Sequence, residues 1–167
     1  MTSTDPRIRP AISRDVPALL RLIRDLAEYE REPDAVEATE AHLHAALFPV
    51  EGTPTTFAHV AEVEGEVVGM ALWFLTFSTW TGTNGIWLED LYVTPEQRGS
   101  GLGTALLAAL AEVCVKRGYR RLEWWVLDWN APSIAFYESL GARSQSEWTT
   151  YRMDGEALMR LAGPPPG

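Results

Sequence analysis

A glycine-rich turn between an apolar strand-like segment and an amphipathic helix constrains this chain more than any other feature. The turn, Gln97–Thr104, carries glycine at 99, 101 and 103 and is called the glycine loop below. Glycine lets the backbone turn sharply and approach a ligand closely. The N–H groups at the start of the following helix favour an anion. The loop therefore predicts a diphosphate site, and the alternative is an ordinary glycine-rich turn.

The glycine spacing excludes two other phosphate-binding motifs. It does not fit the dinucleotide fingerprint G-x-G-x-x-G, and no Gly-Lys-Ser/Thr follows it as a Walker loop requires. The loop therefore does not indicate a dinucleotide or nucleoside-triphosphate enzyme.

Hydrophobic periodicity surrounds the glycine loop with alternating helices and strands. Helices are predicted over 16–29, 39–47, 102–116, 131–140 and 156–161. Strands are predicted over 7–11, 56–63, 67–75, 86–93, 121–127, 142–146 and 148–153. This order indicates a mixed α/β sheet covered by helices. Without a repeat or a dividing linker, we expect one domain over 1–167, with its core over about 7–161 and a loose tail after 163.

Composition narrows the classes of partner. The net charge is −9, which argues against a nucleic-acid binder and is compatible with a cationic substrate. The alternative is that the acidic residues only keep the protein soluble. No apolar stretch is long enough to span a membrane. Cys114 is the only cysteine, so no intrachain disulfide can form, which fits a cytoplasmic location. No residues have metal-ligand spacing.

Two motifs carry a resemblance to a known family. Arg98–Gly103 resembles the R/Q-x-x-G-x-G/A acetyl-CoA loop of the GNAT superfamily. Downstream, 130–142 resembles the family's N-x-x-A/S-x-x-x-Y-x-x-x-G-F/A segment. Within the superfamily the chain is similar to the diamine (spermidine/spermine, thialysine) acetyltransferases over four shorter segments: 26–30, 79–82, 88–93 and 128–130.

The resemblance implies a GNAT-like, mostly antiparallel sheet flanked by helices, with acetyl-CoA as co-substrate; no metal is expected, because no residues have metal-ligand spacing. It implies a bulged or splayed strand near 89–91 that makes room for the thioester. Main-chain groups would hold the coenzyme, with two side chains at the start of a later helix assisting. The implied coenzyme-binding residues are Leu91, Tyr92, Val93, Arg98, Gly99, Ser100, Gly101, Leu102, Gly103, Thr104, Asn130 and Ser133.

Acetyl transfer to an amine requires an acceptor for the ammonium proton and benefits from a donor to the departing thiolate. Glu89, within an apolar strand, is the candidate acceptor, directly or through water; it could instead attract the ammonium or form a structural ion pair. By resemblance Tyr137 is the general acid, with core packing as its alternative. Asp90 ranks lower, because neighbouring strand residues point to opposite faces unless a bulge intervenes.

The candidate residues for amine binding are aromatic or acidic, as suits a cation on an alkyl chain. They are Tyr29, Glu30, Trp80, Glu89, Asp90 and Trp148. Packing alone is an equal alternative for the aromatic members and Glu30. Ser78 stands where the polyamine enzymes have an acidic pattern, which favours a shorter diamine or a thialysine-like amino acid over a long polyamine.

The predicted activity is therefore acetyl transfer to a primary amine of a small cationic substrate, by direct attack in a ternary complex. Two alternatives remain: a GNAT enzyme that acts on a protein or drug amine, and a non-catalytic acyl-CoA-binding sensor. The resemblance also implies a homodimer in which C-terminal strands contribute across the interface.

Overall fold

The computed structural model describes residues 5–163, so the tail expected to be loose lies, apart from Gly163, outside the described residues. The chain divides into two compact units, one up to Leu127 and one from Asp128 onward. The first unit holds five strands: β1 (Ile8–Pro10), β2 (Phe57–Val63), β3 (Glu66–Ser78), β4 (Thr83–Val93) and β5 (Leu122–Trp124). It also holds three helices: α1 (Val16–Tyr29), α2 (Glu40–Leu47) and α3 (Leu102–Arg117).

The five strands form one sheet in chain order, β1-β2-β3-β4-β5. The first four are antiparallel neighbours, whereas β5 runs parallel to β4. A parallel pair needs a crossover connection, and here the glycine loop and α3 supply it. The predicted mixed, mostly antiparallel sheet flanked by helices is therefore confirmed.

The sheet has a helical layer on each face. Apolar residues of α1 and α2 pack in one cluster with alternate residues of the strands, among them Val60, Met70 and Leu72. Helix α3 contacts all five strands, and its own buried residues, such as Leu106 and Leu110, lie outside that cluster. Because strand residues alternate between faces, α3 covers the opposite face.

Local signals account for the turns of this unit. Glu64 and Gly65 both have positive φ (52° and 82°), as the tight turn between β2 and β3 requires. The connection between β3 and β4 is shorter than the predicted strands 67–75 and 86–93 imply, because β3 continues to Ser78 and β4 begins at Thr83. Gly82, at φ 68°, closes the turn by donating its N–H to the carbonyl of Ser78.

The second unit contains α4 (Ala131–Ser139) and α5 (Gly155–Ala162). Both helices were expected, within a residue or two at their ends. The strands expected over 142–146 and 148–153 are wrong, since no strand is assigned there. The strand expected over 121–127 is reduced to β5. A strand needs a partner for its backbone groups, and sequence alternation does not supply one.

Candidate functional site

The glycine loop forms an uncapped helix start. Gly99 and Gly101 have φ of 80° and 83°, in the left-handed region that glycine tolerates best. Gly101 is the N-cap of α3, and no side chain caps the helix there. The first N–H groups of a helix have no partner within it, so Leu102, Gly103 and Thr104 present donors at this end. A Cβ added at Gly99 or Gly101 would meet nothing within 4 Å.

Side chains hold the loop in this shape from outside. The Ser100 hydroxyl donates to the Gln97 carbonyl at 2.5 Å, and the Arg7 guanidinium donates to the Ser100 carbonyl at 3.2 Å. Neither contact uses the N–H groups at the start of α3, and no side chain caps them. The arrangement suits a diphosphate.

Strand β4 has an open edge beside the glycine loop. Its pairing with β5 covers only Ile86–Leu88, opposite Leu122–Trp124. Strand β4 continues to Val93, and within residues 5–163 no strand pairs with 89–93 on the β5 side. An unpaired edge of this kind can accept an extended molecule through main-chain hydrogen bonds. The predicted contact residues Leu91, Tyr92 and Val93 lie on this edge.

A bulge in β4 marks the place where the edge opens. Trp73 pairs with Leu88 and Leu72 pairs with Asp90, so Glu89 is the extra residue. The bulge expected near 89–91 is therefore present. Because a bulge interrupts the alternation of side chains, the expectation that Asp90 faces away from Glu89 does not apply here.

Three carboxyl groups influence one another at the bulge: Glu30, Glu89 and Asp90, called the acidic cluster below. Burial and the charges of Glu89 and Glu30 raise the pKa of Asp90 to about 7. Burial and the charge of Glu89 also raise the pKa of Glu30. The structure thus brings together residues nearly 60 positions apart, and a cation entering here would relieve their repulsion.

Trp87 holds the exposed carboxylate of Glu89. Its indole N–H donates to Glu89 Oε2 at 3.1 Å, and its ring meets Trp125 edge-on at 5.0 Å between centroids. The sequence analysis missed Trp87. No spacing in the sequence identifies it, because the bulge at Glu89 interrupts the alternation that would place residues i and i+2 on one face.

Arg98 has a different environment from the one its motif suggests. Its guanidinium lies over the ring of Tyr29 at 5.3 Å and over that of Tyr92 at 5.5 Å. Its Nε donates to the Val93 carbonyl at 3.2 Å. The side chain of this predicted coenzyme residue therefore joins α1 to β4.

The second unit holds the other predicted residues. Asn130 is buried and caps α4, since its side chain accepts the N–H of Ser133 at 3.4 Å. Tyr137 is half-buried on the same helix, with its ring tilted against Phe136 at 5.4 Å. Trp148 is 66% exposed. In the first unit, Trp80 is exposed in the turn between β3 and β4, and its main-chain N–H donates to the Ser78 hydroxyl.

Residues 5–163 contain neither a metal-binding cluster nor a membrane-spanning helix. No group of three or more His, Cys, Asp or Glu side chains there could hold a metal ion. None of the helices in the same range is long and apolar enough to cross a membrane.

Comparison with known proteins agrees with this geometry. Residues 18–142 match the acetyltransferase (GNAT) family. The chain is 42% identical to the thialysine N-epsilon-acetyltransferase of Bos taurus, over 93% of this chain and 96% of that protein. It is 34% identical to the spermidine/spermine N(1)-acetyltransferase-like protein 1 of Homo sapiens, over 93% of this chain and 24% of that protein.

A solved structure shares the fold. The integron cassette protein from V. cholerae superposes with a TM-score of 0.77 at 24% identity, over 94% of this chain and 97% of that one. An uncapped helix start beside an open, bulged strand is thus found in a chain that matches one enzyme family over most of its length. The chain belongs to the GNAT acetyltransferase family, whose members use acetyl-CoA, and it is an N-acetyltransferase.

Proposed function

We propose that this enzyme transfers the acetyl group of acetyl-CoA to a primary amine of a small cationic substrate, such as a thialysine-like amino acid or a short diamine. The observation that carries the proposal is the acidic cluster at the β4 bulge, beside the open strand edge. Carboxylates that repel one another have raised pKa values. A cation bound among them relieves this repulsion, so such a cluster attracts a positively charged substrate.

The residues present fit two parts of the coenzyme, its diphosphate and its extended arm. The uncapped start of α3 matches a diphosphate, and the absence of any atom near the Gly99 and Gly101 Cβ positions lets the ligand approach. The 91–93 edge matches an extended arm with amide groups. On the resemblance of 130–142 to the family's second motif, Asn130 and Ser133 are proposed as further coenzyme contacts. The coenzyme supplies the acetyl thioester when bound.

Glu89 would accept the proton of the substrate ammonium, directly or through one water, because an amine attacks only with a free lone pair. The Trp87 N–H fixes one carboxylate oxygen and leaves the other for this task. Asp90 and Glu30 would hold the ammonium in place. With a pKa of about 7, Asp90 is partly protonated near neutral pH, and an incoming cation would favour its charged form.

Tyr137 would protonate the departing sulfur. Its phenol is half-buried on α4, seven residues after the helix cap. Tyr137→Phe removes only the hydroxyl, so we expect kcat to fall about 10- to 100-fold while coenzyme affinity is kept. Stopped-flow turnover and calorimetric binding would measure the two effects, and an unchanged kcat would remove Tyr137 from the mechanism.

We further propose a homodimer. The second unit exposes large apolar side chains that a partner would cover, including Trp148, Tyr151 and Leu161. Light scattering with size-exclusion chromatography would measure the mass in solution, and a monomer at micromolar concentration would contradict the proposal. A cytoplasmic location, without nucleic-acid or membrane partners, is proposed from the acidic composition and the single, unpaired Cys114.

The test of the substrate class is a coenzyme A release assay. Acetyl-CoA would be offered with thialysine, lysine, putrescine, spermidine, spermine, an aminoglycoside and a peptide panel. We expect the highest kcat/KM with thialysine or a short diamine. Preference for the drug or a peptide would replace the proposed substrate, and tight coenzyme binding without turnover would indicate a sensor.

A further inference from the structure

A cavity of about 250 Å³ lies at the end of α3 opposite the glycine loop. Its walls combine residues from the end of β1 and the start of β2 with Trp73 of β3 and with Val113 and Arg117 of α3. From Leu102 to Arg117 the helix advances about 22 Å, because an α-helix rises about 1.5 Å per residue. The cavity is therefore separate from the proposed coenzyme site at the start of α3.

One wall of the cavity is aromatic. Phe57 and Trp73 are cross-strand neighbours on β2 and β3, and their rings stack at 4.7 Å between centroids with 25° between their planes. Leu47 and Phe48, at the end of α2, add further apolar surface. An apolar cavity of about 150 Å³ is large enough to bind benzene. A cavity of about 250 Å³ therefore accommodates one ring together with a small polar substituent.

His59 adds a polar group to the same cavity. Its Nδ1 accepts the indole N–H of Trp73 at 3.2 Å, so the proton of the neutral imidazole lies on Nε2. Burial lowers the pKa of His59, which keeps the ring neutral near neutral pH. Within residues 5–163 the Nε2–H group donates to no other residue, so it remains available as a donor to a ligand.

Arg117 supplies the only charge among the described residues that line the cavity. Its side chain is exposed and forms no hydrogen bond or ion pair with residues 5–163, whereas the neighbouring Lys116 pairs with Glu112 at 2.8 Å. A guanidinium without an acidic partner can bind a carboxylate through two parallel N–H groups. The cavity thus combines aromatic walls with an unpaired cation, which suits an aromatic anion.

We propose that this cavity is a second binding site, which takes a small aromatic carboxylate. The ring would pack against the Phe57–Trp73 pair, and the carboxylate would accept hydrogen bonds from Arg117, with His59 Nε2 as a further donor. A mostly apolar pocket with a few polar groups that fix orientation is typical of small-molecule sites. This inference does not depend on the proposed acetyl transfer, whose amine substrate carries the opposite charge.

The experiment titrates the full chain with benzoate near neutral pH and follows the N–H signals by NMR. We expect a saturable shift of the Trp73 indole signal, with a Kd below about 1 mM. Cyclohexanecarboxylate, which keeps the charge but lacks the aromatic ring, should bind at least about 3-fold more weakly. Benzylamine, which keeps the ring but reverses the charge, should give no saturable shift. Saturating coenzyme A should leave benzoate bound, because the coenzyme would occupy the other end of α3.

Matched variants locate the ligand. Arg117→Met should weaken benzoate binding about 10-fold, because a charge-assisted hydrogen-bonded pair is lost. Arg120→Met removes an exposed arginine from the turn between α3 and β5 and should leave the affinity unchanged. Val113→Phe places a ring in the cavity and should abolish binding. Thermal melts would show that each variant is folded, and Arg117→Met carries the test by itself if Val113→Phe is not.

Several results would overturn this inference. Absence of saturable benzoate binding to the wild type would refute the site. An affinity that Arg117→Met leaves unchanged would place the ligand away from the cavity, and displacement by coenzyme A would place it at the glycine loop. Equal binding of benzylamine or of cyclohexanecarboxylate would refute the anionic or the aromatic part of the ligand class. None of these results bears on the acetyltransferase proposal, since the titrations contain no acetyl-CoA and no amine acceptor assay.

Discussion

The glycine loop and the acidic cluster flank the same strand edge, but one offers main-chain groups and the other offers side chains. The loop depends on backbone angles that only glycine adopts without strain. The residues between the glycines can therefore vary, provided that the angles at the glycines are kept. The acidic cluster depends on single carboxyl groups brought together by α1 and a bulge. Binding by the loop should therefore tolerate side-chain changes nearby, whereas chemistry at the cluster should not.

The largest expected effect comes from removing one charge of the acidic cluster. Glu89→Gln keeps the shape of the side chain but cannot accept a proton, so kcat should fall about 100-fold, while KM for acetyl-CoA stays within about 3-fold. Steady-state kinetics would measure both. Glu37→Gln, at an exposed position before α2, is the control and should leave both unchanged. A kcat within 3-fold of the wild type for Glu89→Gln would mean that another group takes the proton.

The titration of Asp90 tests whether burial and charge repulsion raise the pKa within the acidic cluster. Its pKa is about 7 in the folded protein against 3.8 for an ordinary Asp, so the folded state keeps a proton that the unfolded state loses between about pH 4 and 7. The free energy of unfolding should therefore decrease as pH rises through that window.

Asp90→Asn cannot ionise, and its stability should lack this decrease. At pH 8 the free energy of unfolding of the variant should exceed that of the wild type by about 4 kcal/mol, with little difference at pH 4. Urea unfolding at several pH values would measure the change, with Glu37→Gln keeping the wild-type profile. Parallel profiles for Asp90→Asn and the wild type would contradict the assigned pKa.

The loop is tested with a pair of matched glycines. Gly101 and Gly52 have φ of 83° and 86°, and a Cβ at either would meet nothing within 4 Å. Alanine at each position should cost about 1 kcal/mol of stability, because both would hold a Cβ in the left-handed region. Only Gly101→Ala should raise KM for acetyl-CoA, by about ten-fold. Equal coenzyme affinity in the two variants would place the diphosphate elsewhere.

The smallest expected effect comes from Trp87, the β4 residue whose indole N–H donates to the Glu89 carboxylate. Trp87→Phe removes the N–H bonded to Glu89 but keeps an aromatic ring against Trp125, so kcat should fall about 5-fold. Trp125→Phe keeps the N–H of Trp87 and should leave kcat near the wild-type value. Equal loss in both variants would indicate that the ring contact, not the hydrogen bond, positions Glu89.

The two regions also differ in how well the sequence predicted them. The glycine loop was predicted in position and shape, because glycine spacing and the following helix are local signals. The acidic cluster was predicted only as separate candidates, since the approach of Glu30 to Glu89 and Asp90 depends on how α1 packs on the sheet. The contacts of Arg98 with Tyr29 and Tyr92 were missed for the same reason.

The helices and strands were likewise predicted well where the signal is local and poorly where it depends on distant contacts. Helix ends were predicted to within a residue or two, because Thr39, Asn130 and Gly118 act as local caps. The strands expected after Gly141 were wrong. Alternating residues there, such as Tyr151 at 93% exposure, have no strand partner among the described residues. Strand pairing depends on how distant segments come together, which local alternation in the sequence does not show.

The early separation of β5 from β4 has a further consequence for handling the enzyme. Along residues 89–93 of β4, about 16 Å of extended chain, no strand among the described residues pairs on the β5 side, so another protein molecule could add there as a strand. Occupation by the coenzyme would cover that edge as a neighbouring strand does. Purified protein stored with coenzyme A should therefore resist aggregation better than the apoprotein.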